Sequence, residues 1–248
     1  MVHAEESPDG DVKFYVNSYE RTNYILQLLS IFFVFLVIVG GIKGIKAIVA
    51  LSVTILLIIY VLIPSLLSGV NPIGISVLVC AIATFVTLTI IAGFNKKSFS
   101  AIIGTIGGLI VGGIIAYIYG YFARLTGFSS AEAQMLMYLP EQIAYDYRGL
   151  LFAGIIIGAL GAAMDVSISI ASALTEIQKE NPKLTFNQMV AHGMNIGRDI
   201  MGTMTNTLIL AYTGSTLTMM LIFVGFEKGL IEIVNLDSVI TEILRAIA

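Results

Sequence analysis

The chain has 248 residues, of which 57% are hydrophobic and 12% charged, and a formal net charge of −3. Soluble domains carry about 25% charged residues, so this composition excludes an ordinary soluble domain and leaves nucleic acid an unexpected partner. A single Cys80 in an apolar run excludes a disulfide framework. His3 and His192 stand too far apart to suggest a metal site, and no HExxH motif occurs, so neither metal nor cofactor is expected.

Residues 1–23 are too acidic for the first part of a secretory signal peptide, and no apolar core with a small-residue cleavage site follows. They read as an extracytoplasmic tail of something longer. Residues 24–248 then read as an all-α, polytopic membrane helix bundle. Runs of about 20 apolar residues, the length that crosses a bilayer, recur through it. About six spans are expected, over 24–41, 47–67, 73–94, 99–122, 150–174 and 192–212. The apolar stretch 217–226 is too short to span alone; it extends the sixth span or turns back as a re-entrant piece. After it, SVITEILRAIA begins a further apolar segment that stops before it can span.

Lysine placement orients the chain. Lys43 and Lys46 follow the first span, Lys96 and Lys97 the third, Lys179 and Lys183 the fifth. Two spans separate each loop from the next, so all three belong on the cytoplasmic side, and the N-terminus lies outside. Tyr24, Tyr117, Tyr119, Tyr121, Tyr138, Tyr145 and Tyr147 gather at the outer ends, as in half of an aromatic belt. Pro64 and the turn from Ser68 to Pro72 close the second span, with a hinge as the alternative. Two capping-box patterns mark helix starts: Ser129-Ser130-Ala131-Glu132, which opens an outer interfacial helix over about 129–147, and Thr185-Phe186-Asn187-Gln188, which leads into the sixth span.

Helical periodicity sorts the fifth span into a stripe of Gly154, Gly158, Gly161, Asp165, Ser169, Ser172 and Glu176. The fourth span carries Gly104, Gly108, Gly112, Ala116 and Gly120 at the same spacing. Small residues four apart let helices approach closely, so these two spans are expected to pack through their glycines. The sixth span gathers Asn195, Arg198, Asp199, Gly202, Asn206 and Thr213 on one side. At 1.5 Å per residue, Asp165 lies about 22 Å from the outer start of its span and Arg198 roughly 9 Å from the inner start of the next. In a core about 30 Å thick these are one level, so the two are expected to meet, leaving Asp199 free. A charge in hydrocarbon costs about 2.5–3.5 kcal/mol on insertion scales. Such groups therefore serve either as a register-fixing ion pair or as part of a solute or ion path.

The motifs GGIKGIKAIVALS, IPSLLSGVNPI, GALGAAMDVSISIASAL and GMNIGRDIMGTMTNTLILAYTGS resemble the YibE/F-like family of bacterial multi-spanning membrane proteins, over roughly residues 12–248. The resemblance implies a polytopic protein of the bacterial plasma membrane and a permease-like role. It brings no catalytic or ligand residues with it. Longer family members carry an extracytoplasmic domain ahead of the first span and a further span at the end, which makes a longer relative a plausible partner.

Three functions are weighed. The first is a transporter or permease subunit moving a small solute, an anion among the candidates, along a polar path between spans five and six. Asp165, Ser169, Ser172, Asn195, Arg198, Asp199 and Asn206 would line that path. The second is a non-transporting assembly subunit whose charges match a partner helix, in a homo-oligomer or with a longer relative. The third is an intramembrane hydrolase built on Asp165 and Asp199. Arg198 beside them would hold both ionised, against the shared proton of an aspartyl dyad, so an enzyme is not expected.

Overall fold

The computed structural model describes residues 2–6, 12–16, 19–128, 131–138, 145–226 and 229–247. The chain forms two compact units, Met1–Val49 and Ala50–Ala248. In the first, strands β1 (Val2–Glu6) and β2 (Val12–Val16) pair antiparallel, with Val2 opposite Val16 and Glu6 opposite Val12. The tail thus carries two short paired strands, and the regular elements described after them are helical.

Helix α1 (Thr22–Leu57) follows. It runs through a π-helical turn (Ile58–Leu62) into α2 (Ile63–Leu67), a stretch of 46 residues. Straight, that would measure about 69 Å, twice the hydrocarbon core. It is not straight. Gly41 has φ 53° and ψ −133°, outside the helical region. The break brings Gly44 against the Leu36 carbonyl, where a Cβ would overlap it. In an uninterrupted helix these two residues would stand about 12 Å apart along the axis. The break falls where the sequence separates its first two spans. The π-turn has a local cause as well: Pro64 lacks an N–H and its ring crowds the preceding turn, so the helix widens ahead of it.

The second unit is built on α3 (Pro72–Ala92), α4 (Lys96–Phe122) and α6 (Tyr147–Glu180). Their starts are written in short polar residues. The Asn71 side chain accepts from the Gly74 amide at 3.0 Å, Asn95 from Ser98 at 2.9 Å and Asp146 from Gly149 at 2.9 Å. Ser98 Oγ also donates to the Leu88 carbonyl at 3.1 Å, tying the start of α4 to the end of α3. Between α4 and α6 lie α5 (Ala131–Met135) and a 3-10 turn (Leu136–Tyr138). Ser129, Ser130 and Pro140 of the expected interfacial helix fall outside the described residues.

Three apolar clusters join the helices. Leu88, Ala101 and Ile102 pack at the α3–α4 turn. Cys80, Ala83, Leu109, Ile156 and Leu160 fill the middle. Ala116, Leu125, Phe152, Ile155 and Leu244 close the far end. Thr84 and Thr105, both fully buried, satisfy their hydroxyls on the carbonyls of Cys80 and Ala101 one turn back. Cys80 is 2% exposed, so a maleimide should leave the folded protein unlabelled and modify it only after unfolding in SDS. Labelling of the folded protein would contradict this packing.

Helix α7 (Phe186–Ser215) starts at the capping box expected at Thr185. The Thr185 amide donates to Gln188 Oε1 at 2.9 Å, and the Gln188 amide to Thr185 Oγ1 at 3.5 Å. Helix α8 (Leu217–Gly225) bends away from it by 61°, so the apolar stretch after the sixth span breaks rather than extends it. Short α9 (Leu230–Val234) and α10 (Asp237–Ile247) complete the chain. Four helices are long and apolar enough to cross a membrane, five when the bent α7–α8 pair is counted as one span. The expected count was about six; the difference lies in the 46-residue stretch, which joins two expected spans across the Gly41 break.

Candidate functional site

Helix α6 has a covered side and an open side. The covered side presents Phe152, Ile155, Ile156 and Leu160, all buried, to α3 and α4. Helix α4 meets them with small residues. A Cβ on Gly120 would stand 2.6 Å from the Phe152 ring, one on Gly113 3.6 Å from Ile156, and one on Gly104 3.4 Å from Ser167 Oγ. Numbers rise on one helix as they fall on the other, so the pair is antiparallel and close, as expected.

The expected contact of glycine on glycine is not made. A Cβ added at Gly108, Gly154 or Gly161 would meet nothing within 4 Å, while Gly112 is buried in the α4 face. A Cβ on Gly158 would stand 3.6 Å from Cδ of Arg245 on α10. The physical reason is complementarity of size. Large side chains from one face of α6 fill the hollows left by α4's glycines, which makes more contact than two bare backbones would.

Helix α7 packs on α6 by the same device. A Cβ on Gly193 would stand 3.2 Å from Leu174, and one on Gly197 3.3 Å from Ile170. This register sets Arg198 level with Ser169 and Asp165 level with Gly202, about 6 Å apart along the axis. It also rotates the charges away from the contact. On a helical wheel Arg198 and Asp199 lie about 120–140° round α7 from it, and Asp165 about 160° round α6. The Asp165–Arg198 meeting expected from depth is therefore not formed, and the two helices do not enclose a path between their polar faces. Asp165, Ser169, Asn195, Arg198, Asp199 and Asn206 are exposed and Ser172 half-buried. Among the described residues, the side chains of Asp165, Arg198 and Asp199 find no hydrogen-bond or ion-pair partner; the ion pairs that do form include Lys179–Glu176 and Arg245–Glu242, both at 2.8 Å.

The second of those pairs marks a feature the sequence reading passed over. Helix α10 starts beside the α4–α6 connection, where Thr126 donates to the Asp237 carboxylate at 3.1 Å. From there it runs down along α4, α6 and α7 and buries Thr241 and Leu244. Beside it opens a cavity of about 980 Å³, walled by α6, α7, α8 and α10. Leu150, Met219, Met220 and Phe223 give it an apolar wall; Thr213, Thr216, Glu242 and Arg245 add polar groups. Arg245 reaches Gly158, about 16 Å below Tyr147, and Asp165 lies about 10 Å further along the same face of α6. Glu242 and Arg245 stand three apart within SVITEILRAIA; that spacing in an apolar segment was the available signal.

The apolar lengths of these helices and the charge-poor surface between them define a multi-helix integral membrane protein. The chain belongs to the YibE/F-like family, whose model it matches over residues 28–248. Comparison with curated proteins and with solved structures returns no match.

Proposed function

We propose that the chain is a permease subunit of the bacterial plasma membrane that moves a small solute. The observation that carries this reading is the polar face of α6. It starts at Gly158, against the Arg245 side chain that lines the 980 Å³ cavity, and continues through Gly161, Asp165 and Ser169 to Ser172. A cavity of this size suits a small organic molecule, and a carboxylate held at membrane depth is the kind of group that lines solute and proton paths. Because the face is open on the chain's own surface, the path is completed by another membrane helix, from a second copy or a longer relative. Lys96, Lys97, Lys179 and Lys183 flank the same end of the antiparallel α4–α6 pair, which supports a cytoplasmic end there and an outer end at Tyr117, Tyr121 and Tyr147. The cavity would then open on the outer side.

Asp165→Asn keeps the size of the side chain and removes its charge. Cells making this variant at wild-type membrane levels should lose the change in exported or retained metabolites that the wild-type protein causes. An unchanged metabolite profile would overturn the proposal. The uncovered Arg198 and Asp199 on α7 favour a second reading, a non-transporting assembly subunit. Loss of a co-purifying membrane partner on Arg198→Gln, with metabolites unaffected by any variant, would select it.

A further inference from the structure

We propose that α7 pairs with α7 of a second copy of this chain, side by side in one bilayer, through the face it turns away from α6. No residue of α7 is buried, although the α7–α8 pair is apolar enough to cross a membrane. Its contact with α6 runs through Gly193 and Gly197. Asn195 lies about 180° round the helix from that contact. The row it belongs to is Gln188, His192, Asn195, Asp199, Gly202 and Asn206, all exposed. Their spacing alternates between four and three residues, a period of about 3.5. That is the period of a seam kept against a second helix, where each side chain enters a hole formed by four residues of the facing helix. The open seam is about 27 Å long, close to the hydrocarbon thickness. Beyond it, Ile209 and Thr213 line the cavity instead.

Charge selects the occupant. The only Asp, Glu, Lys or Arg residues of α7 are Arg198 and Asp199. Consecutive residues of a helix do not face each other, so the two do not neutralise one another. Both are exposed and without a partner among the described residues. An ionised group against lipid is costly, so a protein surface must cover them. Two copies inserted the same way round are related by a two-fold axis along the membrane normal, which keeps every residue at its own depth. The hole for Asp199 is then formed by Asn195, Arg198, Asp199 and Gly202 of the second copy. Arg198 and Asp199 differ by about 1.5 Å in depth, so each guanidinium reaches the other copy's carboxylate. The two carboxylates near the axis are flanked by two guanidiniums, and the charges cancel. Gly202 lets the backbones approach, and Asn206 meets its own counterpart in a hydrogen bond that fixes register. A different helix would need its own opposite pair at this same level; a second copy brings one by symmetry. The α6 face with Asp165 lies outside this seam, so the dimer goes beyond the permease reading and does not rest on it.

Two differently tagged full-length copies are co-expressed, extracted in maltoside and isolated by one tag. Wild-type copies should co-isolate. Arg198→Asp leaves carboxylates alone at this level, and Asp199→Arg leaves guanidiniums alone. Either variant paired with itself should co-isolate at least about tenfold less, the scale of a lost hydrogen bond between charged groups. Arg198→Asp co-expressed with Asp199→Arg should recover the wild-type yield, because each sign again faces the other. That recovery also shows both variants inserted and folded. Oxidation in native membranes then reads the surface. Asn206→Cys, on the seam, should give a disulfide-linked dimer. Thr207→Cys, about 100° further round, should not, nor should the parent chain, whose Cys80 is buried. Wild-type copies that stay apart would overturn the proposal. So would either variant associating with itself at the wild-type level, a mixed pair that does not recover, or equal cross-linking from Asn206→Cys and Thr207→Cys. An Asn206→Cys chain that links to a different membrane protein and not to itself would replace the second copy with a heteromeric partner.

Discussion

Phe152→Ala is expected to remove about 3–5 kcal/mol from the stability of the helix bundle, the range for emptying a buried aromatic site. Phe152 is 2% exposed and sits in one cluster with Ala116, Leu125, Ile155 and Leu244. Its ring lies 5.5 Å from that of Tyr117 and 5.7 Å from the Arg148 guanidinium. Gly120 leaves the hollow it fills. Because the same ring touches α4 and the α10 cluster, its loss loosens both the central pair and the cavity wall. The converse substitution, Gly120→Val, pushes side-chain atoms into that ring and should cost about 1–3 kcal/mol by overpacking. Combined, the two should be less harmful than their sum, since the cavity made by one accepts the bulk of the other. Unfolding in mixed micelles measures all three. A Phe152→Ala protein within about 1 kcal/mol of wild type would mean that α4 and α6 are not held together here.

The second large effect is expected at the break in α1. Gly41 has φ 53°, where a side chain is strained, and the close approach of Gly44 to the Leu36 carbonyl has no room for a Cβ. Forcing a residue other than glycine into such a conformation costs about 1–3 kcal/mol. A Gly41→Leu, Gly44→Leu chain should escape that cost by straightening into one continuous helix, which leucine favours. Straightened, the 46-residue stretch would run about 69 Å, twice the hydrocarbon core. With Cys80 buried, a Tyr19→Cys protein reports on the N-terminal side alone. Under the orientation proposed above, with the N-terminus outside, an impermeant thiol reagent should label it in the wild-type background and fail to do so when both glycines are leucine. Equal labelling in the two backgrounds would show that the break does not depend on glycine.

Much of this was legible in the residues themselves, because the physics involved is local. Apolar runs long enough to cross a bilayer announce membrane helices, since a chain in lipid must satisfy its backbone internally. Asn71 ahead of Pro72, and Thr185 with Gln188, mark helix starts through hydrogen bonds that span three residues. Family membership followed from the stretches around Asp165 and Arg198, before any contact was known.

The candidate site was legible only in part. Periodicity put Asp165, Ser169 and Ser172 on one face of α6, and Arg198 and Asp199 near one another on α7. It did not say which way either face would turn. Rotation about a helix axis is set by where a neighbour's bulk finds a hollow, here Ile170 and Leu174 against Gly197 and Gly193. Glycines spaced four apart look the same whether a helix of this chain, a partner or lipid lies over them; Gly113 and Gly120 are covered, Gly154 and Gly161 are open. The course of α10 was equally hidden. Its residues read as an unfinished span, yet Leu244 packs under Phe152 and Arg245 lies against Gly158, and segments far apart in the chain line the cavity together. The sequence by itself determined the helices, their ends and the solvent they require. Tertiary packing alone decided which faces are covered, because that choice depends on shapes from several segments fitting at once.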